Sequence, residues 1–187
     1  MRFDRDKFFG GYRPTFSALT QPQVNGLSTL LGEIEADEAW SDLRHVSYLL
    51  ATAKHETANT FEPIKEYRAR EGTTARAVQD KYWSTGYYGR GYVQLTHRAN
   101  YQTFSVILGA DFMRNPDLAL RPAYAYRIAA TGMRRGLFTG KKLSDYLNER
   151  EADYIGARRI VNGQDRAELI GRYAAGFEAV LRASLQD

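Results

Sequence analysis

Glu56 is the first residue whose type and position could do chemistry. It lies seven residues, about two helical turns, beyond Leu49 and three beyond Ala53, so it continues the apolar side of a helical stretch. Thr60 and Pro63 predict that this helix ends just after it. There, the negative end of the helix dipole and partial burial both disfavour a charged carboxylate, which predicts a proton-carrying general acid. A surface glutamate at a fraying helix end is the alternative reading. Acid-assisted cleavage of a glycosidic bond needs a second carboxylate. Glu62, Glu66, Glu71 and Asp80 follow in an irregular region. Glu66, in Pro63-Ile64-Lys65-Glu66-Tyr67, has apolar and aromatic company that would fix its geometry better than the Arg70-Glu71-Gly72 setting of Glu71. Spacing alone does not choose between them.

The segment Tyr87-Tyr88-Gly89-Arg90-Gly91-Tyr92-Val93-Gln94-Leu95-Thr96 is the richest in chemistry. Its glycines permit close backbone approach, while Tyr, Gln and Thr supply a stacking face and short hydrogen-bonding groups. That combination suits a sugar, which has hydroxyls at its rim and C–H faces above and below. An aromatic β-hairpin packed on helices fits the same residues. As a phosphate loop the segment lacks the spacing and the Lys-Ser/Thr ending. His55-Glu56 begins like a zinc-protease motif, but position 59 is Asn, and the remaining histidines, His45 and His97, have no metal-site spacing. No Gly-x-Ser-x-Gly elbow and no cysteine are present, which leaves Ser- and Cys-based hydrolysis without support. Neither a metal nor a cofactor is expected.

The elements that must position these residues read as mostly helical. Leu27, Leu30, Leu31 and Ile34 recur at helical spacing, and Leu43, Val46, Leu49, Leu50 and Ala53 form a second stripe with Ser41 as expected N-cap. Further helices are predicted over 99–108, from Pro122 to Gly136, and over 152–160. Asp165 with Glu168 resembles a capping box opening a last helix, whose Leu169, Ile170, Tyr173, Phe177, Val180 and Leu181 form one apolar stripe. Residues 61–96, with short alternating runs such as Tyr92-Val93-Gln94-Leu95, read as loops with a small twisted β element.

No repeat or flexible linker divides the 187 residues, so one domain over 1–187 is expected. Charged residues at 26% and aromatics at 13% exclude disorder, and the longest apolar runs are too short to span a membrane. The net charge of +4 is spread along the chain, which argues against a nucleic-acid footprint. The charged start, Met1-Arg2-Phe3-Asp4-Arg5-Asp6-Lys7, does not read as a secretory signal, and the absence of cysteine fits synthesis in a reducing compartment.

Three ordered motifs carry a resemblance. His55-Glu56-Thr57, then Tyr87–Thr96 with Asn100-Tyr101, then Ile160-Val161-Asn162-Gly163 resemble the signature segments of glycoside hydrolase family 19, which holds plant and bacterial chitinases and many phage endolysins. Asn115-Pro116-Asp117-Leu118-Ala119-Leu120 and Phe138-Thr139-Gly140-Lys141-Lys142-Leu143 resemble the phage and prophage branch. The resemblance implies a mainly α, lysozyme-like α+β domain: two helical lobes with a small β element beside a cleft. It also implies an inverting mechanism in which Glu56 matches the general acid, Glu66 the general base, and Thr96 the hydroxyl that holds the attacking water. Tyr88, Gln94, Asn100 and Asn162 match substrate-binding positions. The ten-residue step between the two acids is shorter than in plant chitinases, and Gln164-Asp165-Arg166 stand where the family usually has Gly and Glu; both point to a reduced cleft.

The function expected on this basis is that of an endolysin cutting the β-1,4 glycan of bacterial peptidoglycan, with chitinase activity or a non-catalytic glycan-binding module as alternatives. Its partners would be peptidoglycan glycan strands, without nucleic acid or stable membrane insertion, and the chain would act as a monomer. It would be made in the host cytoplasm and reach the wall after a membrane-permeabilising protein opens the inner membrane.

Overall fold

The computed structural model describes residues 1–186 and is mainly α-helical. In chain order the elements are α1 (Arg5–Thr15), α2 (Gln21–Ala36), α3 (Leu43–Glu56), β1 (Ile64–Lys65), α4 (Thr74–Asp80), β2 (Arg90–Gly91), α5 (Arg98–Leu108), α6 (Pro122–Arg135) and α7 (Ala167–Ser184). Short 3-10 turns lie between them.

The apolar stripes dictate the assembly. Val46, Leu49, Leu50 and Ala53 of α3 are buried with Ile170, Phe177 and Leu181 of α7, while Phe8 and Tyr12 bring α1 onto the same core. Leu27, Leu30, Leu31 and Ile34 of α2 complete it next to Ala129 and Met133 of α6. The helices expected at 99–108 and from Pro122 are present, each closed by a left-handed glycine, Gly109 and Gly136. Among the described residues, no helix is long and apolar enough to cross a membrane.

Four local expectations are corrected. The cap of α3 is Asp42 rather than Ser41, because the Asp42 carboxylate accepts from the Arg44 N–H at 2.9 Å and from its guanidinium as well. The helix predicted over 152–160 is only a 3-10 turn at Gly156–Ile160; the Asp153 side chain accepts from Gly156 N–H at 2.7 Å and so competes with helical bonding. The capping box at Asp165 does not form. Helix α7 follows Arg166, which has a left-handed φ of 58°, and the Asp165 carbonyl instead accepts from Arg158 Nε at 3.0 Å. Residues 61–96 hold α4 as well as loops, capped by Thr73 Oγ1, which accepts from Arg76 N–H at 3.2 Å. The only strands among the described residues pair Ile64–Lys65 antiparallel with Arg90–Gly91. Tyr92–Leu95 is then a tight turn closed by reciprocal Arg90–Leu95 backbone bonds, with Gln94 at a left-handed φ of 52°. Helix α1, capped by Asp4 accepting from Lys7 N–H at 3.0 Å, lies outside the sequence-based set.

Candidate active site

Glu56 is the last residue of α3, and the chain leaves it through a turn that the rest of the molecule fixes. Thr57 Oγ1 donates to the Ala53 carbonyl at 2.7 Å and accepts from Phe61 N–H at 3.1 Å. Ala58, Asn59 and Phe61 take left-handed φ values, a run of strain that the packing must hold. It does so from α2: Gln23 Nε2 donates to the Asn59 carbonyl at 2.9 Å, and a Cβ on Gly26 would meet the Phe61 carbonyl oxygen at 2.8 Å. Only glycine allows that approach. The carboxylate of Glu56 accepts from Arg158 Nη1 at 2.8 Å, with side-chain exposures of 16% and 2% respectively. Arg158 thus reaches from the turn before α7 to the end of α3. Asn162 belongs to the same group, since its N–H donates to the Arg158 carbonyl at 3.0 Å; it is exposed, and its side-chain Oδ1 accepts from Gly163 N–H.

Glu66, one residue past β1, is held by three donors. Tyr82 Oη donates to Oε1 at 2.6 Å, Gln79 Nε2 to Oε1 at 2.9 Å, and Gly89 N–H to Oε2 at 2.8 Å. Burial, followed by this hydrogen bond to Glu66, pushes the Tyr82 phenol up to about 12, so it remains a donor across the neutral range. Glu71 is exposed in the turn before α4. Glu66 is thus fixed by hydrogen bonds from Tyr82, Gln79 and Gly89, and not by the apolar and aromatic neighbours in Pro63–Tyr67 that the sequence setting offered, since Lys65 and Tyr67 are exposed.

The remaining candidates gather around Glu66. Gln94 Nε2 donates to the carbonyls of Ile64 and Gly91 at 3.1 and 3.2 Å, and its Oε1 lies close over Gly89. Both amide protons are thus committed to the β1–β2 pair, which leaves Gln94 its carbonyl oxygen as the group a ligand could use. Thr96 Oγ1 donates to the Gln94 carbonyl at 2.7 Å, so its lone pairs are free to accept. Asn100 Nδ2 donates to the Thr96 carbonyl at 2.8 Å, keeping its own Oδ1 free. Tyr88 stacks on Trp83 with ring centroids 4.4 Å apart, and the guanidinium of Arg68 lies 4.5 Å from the centroid of that indole. Arg90, buried, sits 4.0 Å over the Tyr88 ring and pairs with Asp117 at 2.8 Å. The hydrogen bond from Lys65, and then that from Arg90, hold the Asp117 carboxyl below the usual carboxylate range.

The candidates therefore form two groups. Glu56 with Arg158 and Asn162 belongs to the helical core, and Glu66 with Tyr88, Gln94, Thr96 and Asn100 belongs to the irregular part. Among the described residues no hydrogen bond or ion pair joins the two groups directly. Sequence reasoning missed Arg158, Tyr82 and Gln79. Arg158 carried a signal, being a charged residue inside Ile155-Gly156-Ala157-Arg158-Arg159-Ile160; the other two carried none. Among the described residues, no group of three or more His, Cys, Asp or Glu could hold a metal.

The chain is similar to known proteins in sequence and in fold. A family model described as chitinase class I matches residues 37–130. A curated rice protein, Chitinase 11 of Oryza sativa subsp. japonica, is 52% identical over 44 residues, which is 23% of this chain and 17% of that protein. Among solved structures, chitinase C from Streptomyces griseus HUT6037 is similar with a TM-score of 0.60 and 22% identity, covering 98% of this chain and 79% of the other. A bacterial family 19 chitinase gives a TM-score of 0.57 at 20% identity, over 95% and 92% of the two chains. At these identities the likeness of the structures is one of fold.

Proposed function

Because the chain belongs to glycoside hydrolase family 19, the class I chitinase family, we propose that it hydrolyses the β-1,4 glycan of bacterial peptidoglycan with inversion and serves as an endolysin. The observation that carries this reading is a pair of carboxylates ten residues apart, each held in place by its own partners, Glu56 by Arg158 and Glu66 by three donors. Glu56 protonates the glycosidic oxygen as its bond to the anomeric carbon breaks. Glu66 takes a proton from water, whose oxygen attacks that carbon from the opposite face, and the Thr96 hydroxyl oxygen accepts the water's other proton as a hydrogen bond. Inversion requires carboxyl groups roughly 6.5–9.5 Å apart with the water between them. Once Glu56 has given up its proton, the adjacent Arg158 guanidinium is already placed to stabilise the new charge, without reorganisation. Tyr88, whose ring is packed against Trp83 and Arg90, offers the sugar its phenol hydroxyl, and Gln94, Asn100 and Asn162 offer hydrogen bonds at its rim. Peptidoglycan as the polymer is supported by the phage-like segments Asn115–Leu120 and Phe138–Leu143 and by a net charge of +4 against an anionic wall. Acting on that wall from the cytoplasm requires a second protein that opens the inner membrane.

The names of the relatives favour chitin as the second reading. One experiment separates the two. Purified sacculi and chitin oligomers are incubated with the protein and with Glu56→Gln, and products are read by mass spectrometry after borohydride reduction. The expected result is release of muropeptides with new reducing ends, lowered by about 10²–10⁴-fold in the variant at unchanged fold. Cleavage of chitin alone would replace the endolysin reading with chitinase. Undiminished release by Glu56→Gln would remove Glu56 from the mechanism. Binding without turnover on both substrates would make the chain a glycan-binding module.

A further inference from the structure

A cavity of about 590 Å³ opens where the end of α3 meets the end of α1 and the first half of α7. Lys54, His55, Asn59, Arg172, Ser17 and Tyr173 are among the residues lining it, and no aspartate or glutamate is. None of the groups that hold Glu66 reaches it, yet His55 places it one peptide unit from Glu56.

Lys54 is the unusual member. It is only 7% exposed, and among the described residues it has no acidic partner. Its ammonium donates to Tyr12 Oη at 2.8 Å and to Asn59 Oδ1, both neutral oxygens. The rings of Phe16, Tyr173, Tyr12 and Phe61 surround it with centroids at 5.0, 5.2, 5.3 and 5.6 Å. Ring faces and neutral acceptors soften the cost of burying a cation without removing it. An ammonium has three N–H donors, and two are used. Burial pushes the amine down to about 8, the mark of a cation whose counter-charge the fold does not supply. Arg172, across the cavity, is also weakly committed: among the described residues its one ion pair is with Glu168 at 4.0 Å, between side chains 69% and 82% exposed. A nearly buried ammonium, a loosely held guanidinium, an imidazole and a hydroxyl thus converge on an open space that lacks negative charge. The complement to that set is a carboxylate.

We propose that this cavity binds a carboxylate carried on the glycan, so that the chain takes an anionic glycan in preference to a neutral one. The inference rests on the hydrolase reading of Glu56 and Glu66 and deepens it. Peptidoglycan carries peptide carboxylates on alternate sugars, whereas chitin carries none. A ligand carboxylate would accept the free N–H of Lys54 and a fork from Arg172, supplying the counter-charge that the fold omits.

The test is calorimetric titration of the whole chain with muramyl dipeptide, which bears one carboxylate, and with its carboxamide. The acid is expected to bind about tenfold more tightly than the amide, the increment of one charge-assisted hydrogen bond. Lys54→Met, which keeps an apolar side chain inside the ring cage, is expected to abolish that preference, and Arg172→Ala to reduce it several-fold. Arg172 is on the surface, so its variant decides the matter if Lys54→Met does not fold. Equal binding of acid and amide, no detectable binding of the acid, or a preference that survives undiminished in a folded variant overturns the proposal. Failure of the wild type to release muropeptides would instead strike the hydrolase reading, and this binding assay does not depend on turnover.

Discussion

Glu56 ends a helix packed along its length on α7, whereas Glu66 follows a two-residue strand with exposed Lys65 and Tyr67 on either side. The first is placed by burial. Val46, Leu49, Leu50 and Ala53 fix the helix, and one ion pair fixes the side chain. The second is placed by wiring, through Tyr82, Gln79 and the Gly89 amide. The difference teaches where each site is fragile. A polar group inside packed apolar surroundings is costly to orphan, so a lesion there costs stability first. Hydrogen bonds in a half-buried network stabilise little individually but set an angle, so a lesion there costs turnover first.

The largest expected effect follows on the packed side. Arg158→Ala removes a guanidinium that is 2% exposed and leaves Glu56 half-buried without its cation, while the Asp165 carbonyl loses its donor. Breaking one partner of such a pair costs about 3–5 kcal/mol. In a domain of this size that lowers the melting temperature by ~6–20 °C. A melting temperature within a degree or two of the wild type would show that packing alone places Glu56.

A smaller effect, on the same side, comes from Lys54. Its amine lies at about 8 in the folded chain, because of burial, against an ordinary value of about 10.5. The folded state therefore binds fewer protons than the unfolded state between these two values, and stability must rise with pH across that window. The penalty is full below pH 8 and is relieved towards pH 10.5, on the order of 3 kcal/mol in total. Tyr12 and Tyr173 face the same ammonium, and burial raises the Tyr12 phenol above the ordinary tyrosine range, so tyrosine titration opposes the gain near the top of the window. Denaturant unfolding at pH 7.5 and 9.5, compared with Lys54→Met, isolates the contribution. A wild type whose stability falls relative to the variant over that interval would mean that Lys54 is well compensated.

How much of this was legible in the sequence follows the same division. The apolar spacing of α2, α3, α5, α6 and α7 reveals the helices because their burial is periodic, and Glu56 is found because it continues one of those periods. Helix α4, seven residues held by a threonine cap, is too short for any period to show. Residues 152–160 have helical composition but yield to the Asp153 side chain, a local competitor that spacing cannot weigh. The partners of the two acids were beyond reach for a different reason. Arg158 lies 102 positions from Glu56, and Tyr82 and Gln79 lie 16 and 13 from Glu66, so only the folded chain brings them together. Glu66 and Glu71 are indistinguishable by spacing and become distinct once those donors are in place.

The smallest effect on stability, and the sharpest on the comparison, belongs to Tyr82→Phe. It deletes one hydroxyl and keeps the ring, which stands edge-on to His97 at 5.2 Å. Glu66 retains Gln79 on the same oxygen and the Gly89 amide on the other, so the expected cost is about 1 kcal/mol. The carboxylate nevertheless gains freedom to rotate about the direction that the phenol had fixed. If Glu66 is the base that activates water, that freedom lowers kcat several-fold at unchanged KM, because the sugar contacts of Tyr88 and Asn100 are untouched while the water loses its alignment. A purely structural Glu66 would give the reverse pattern, a small loss of melting temperature with kcat intact. Steady-state kinetics on soluble glycan fragments, read beside the melting curve, therefore decides whether the wiring around Glu66 serves the reaction or only the loop.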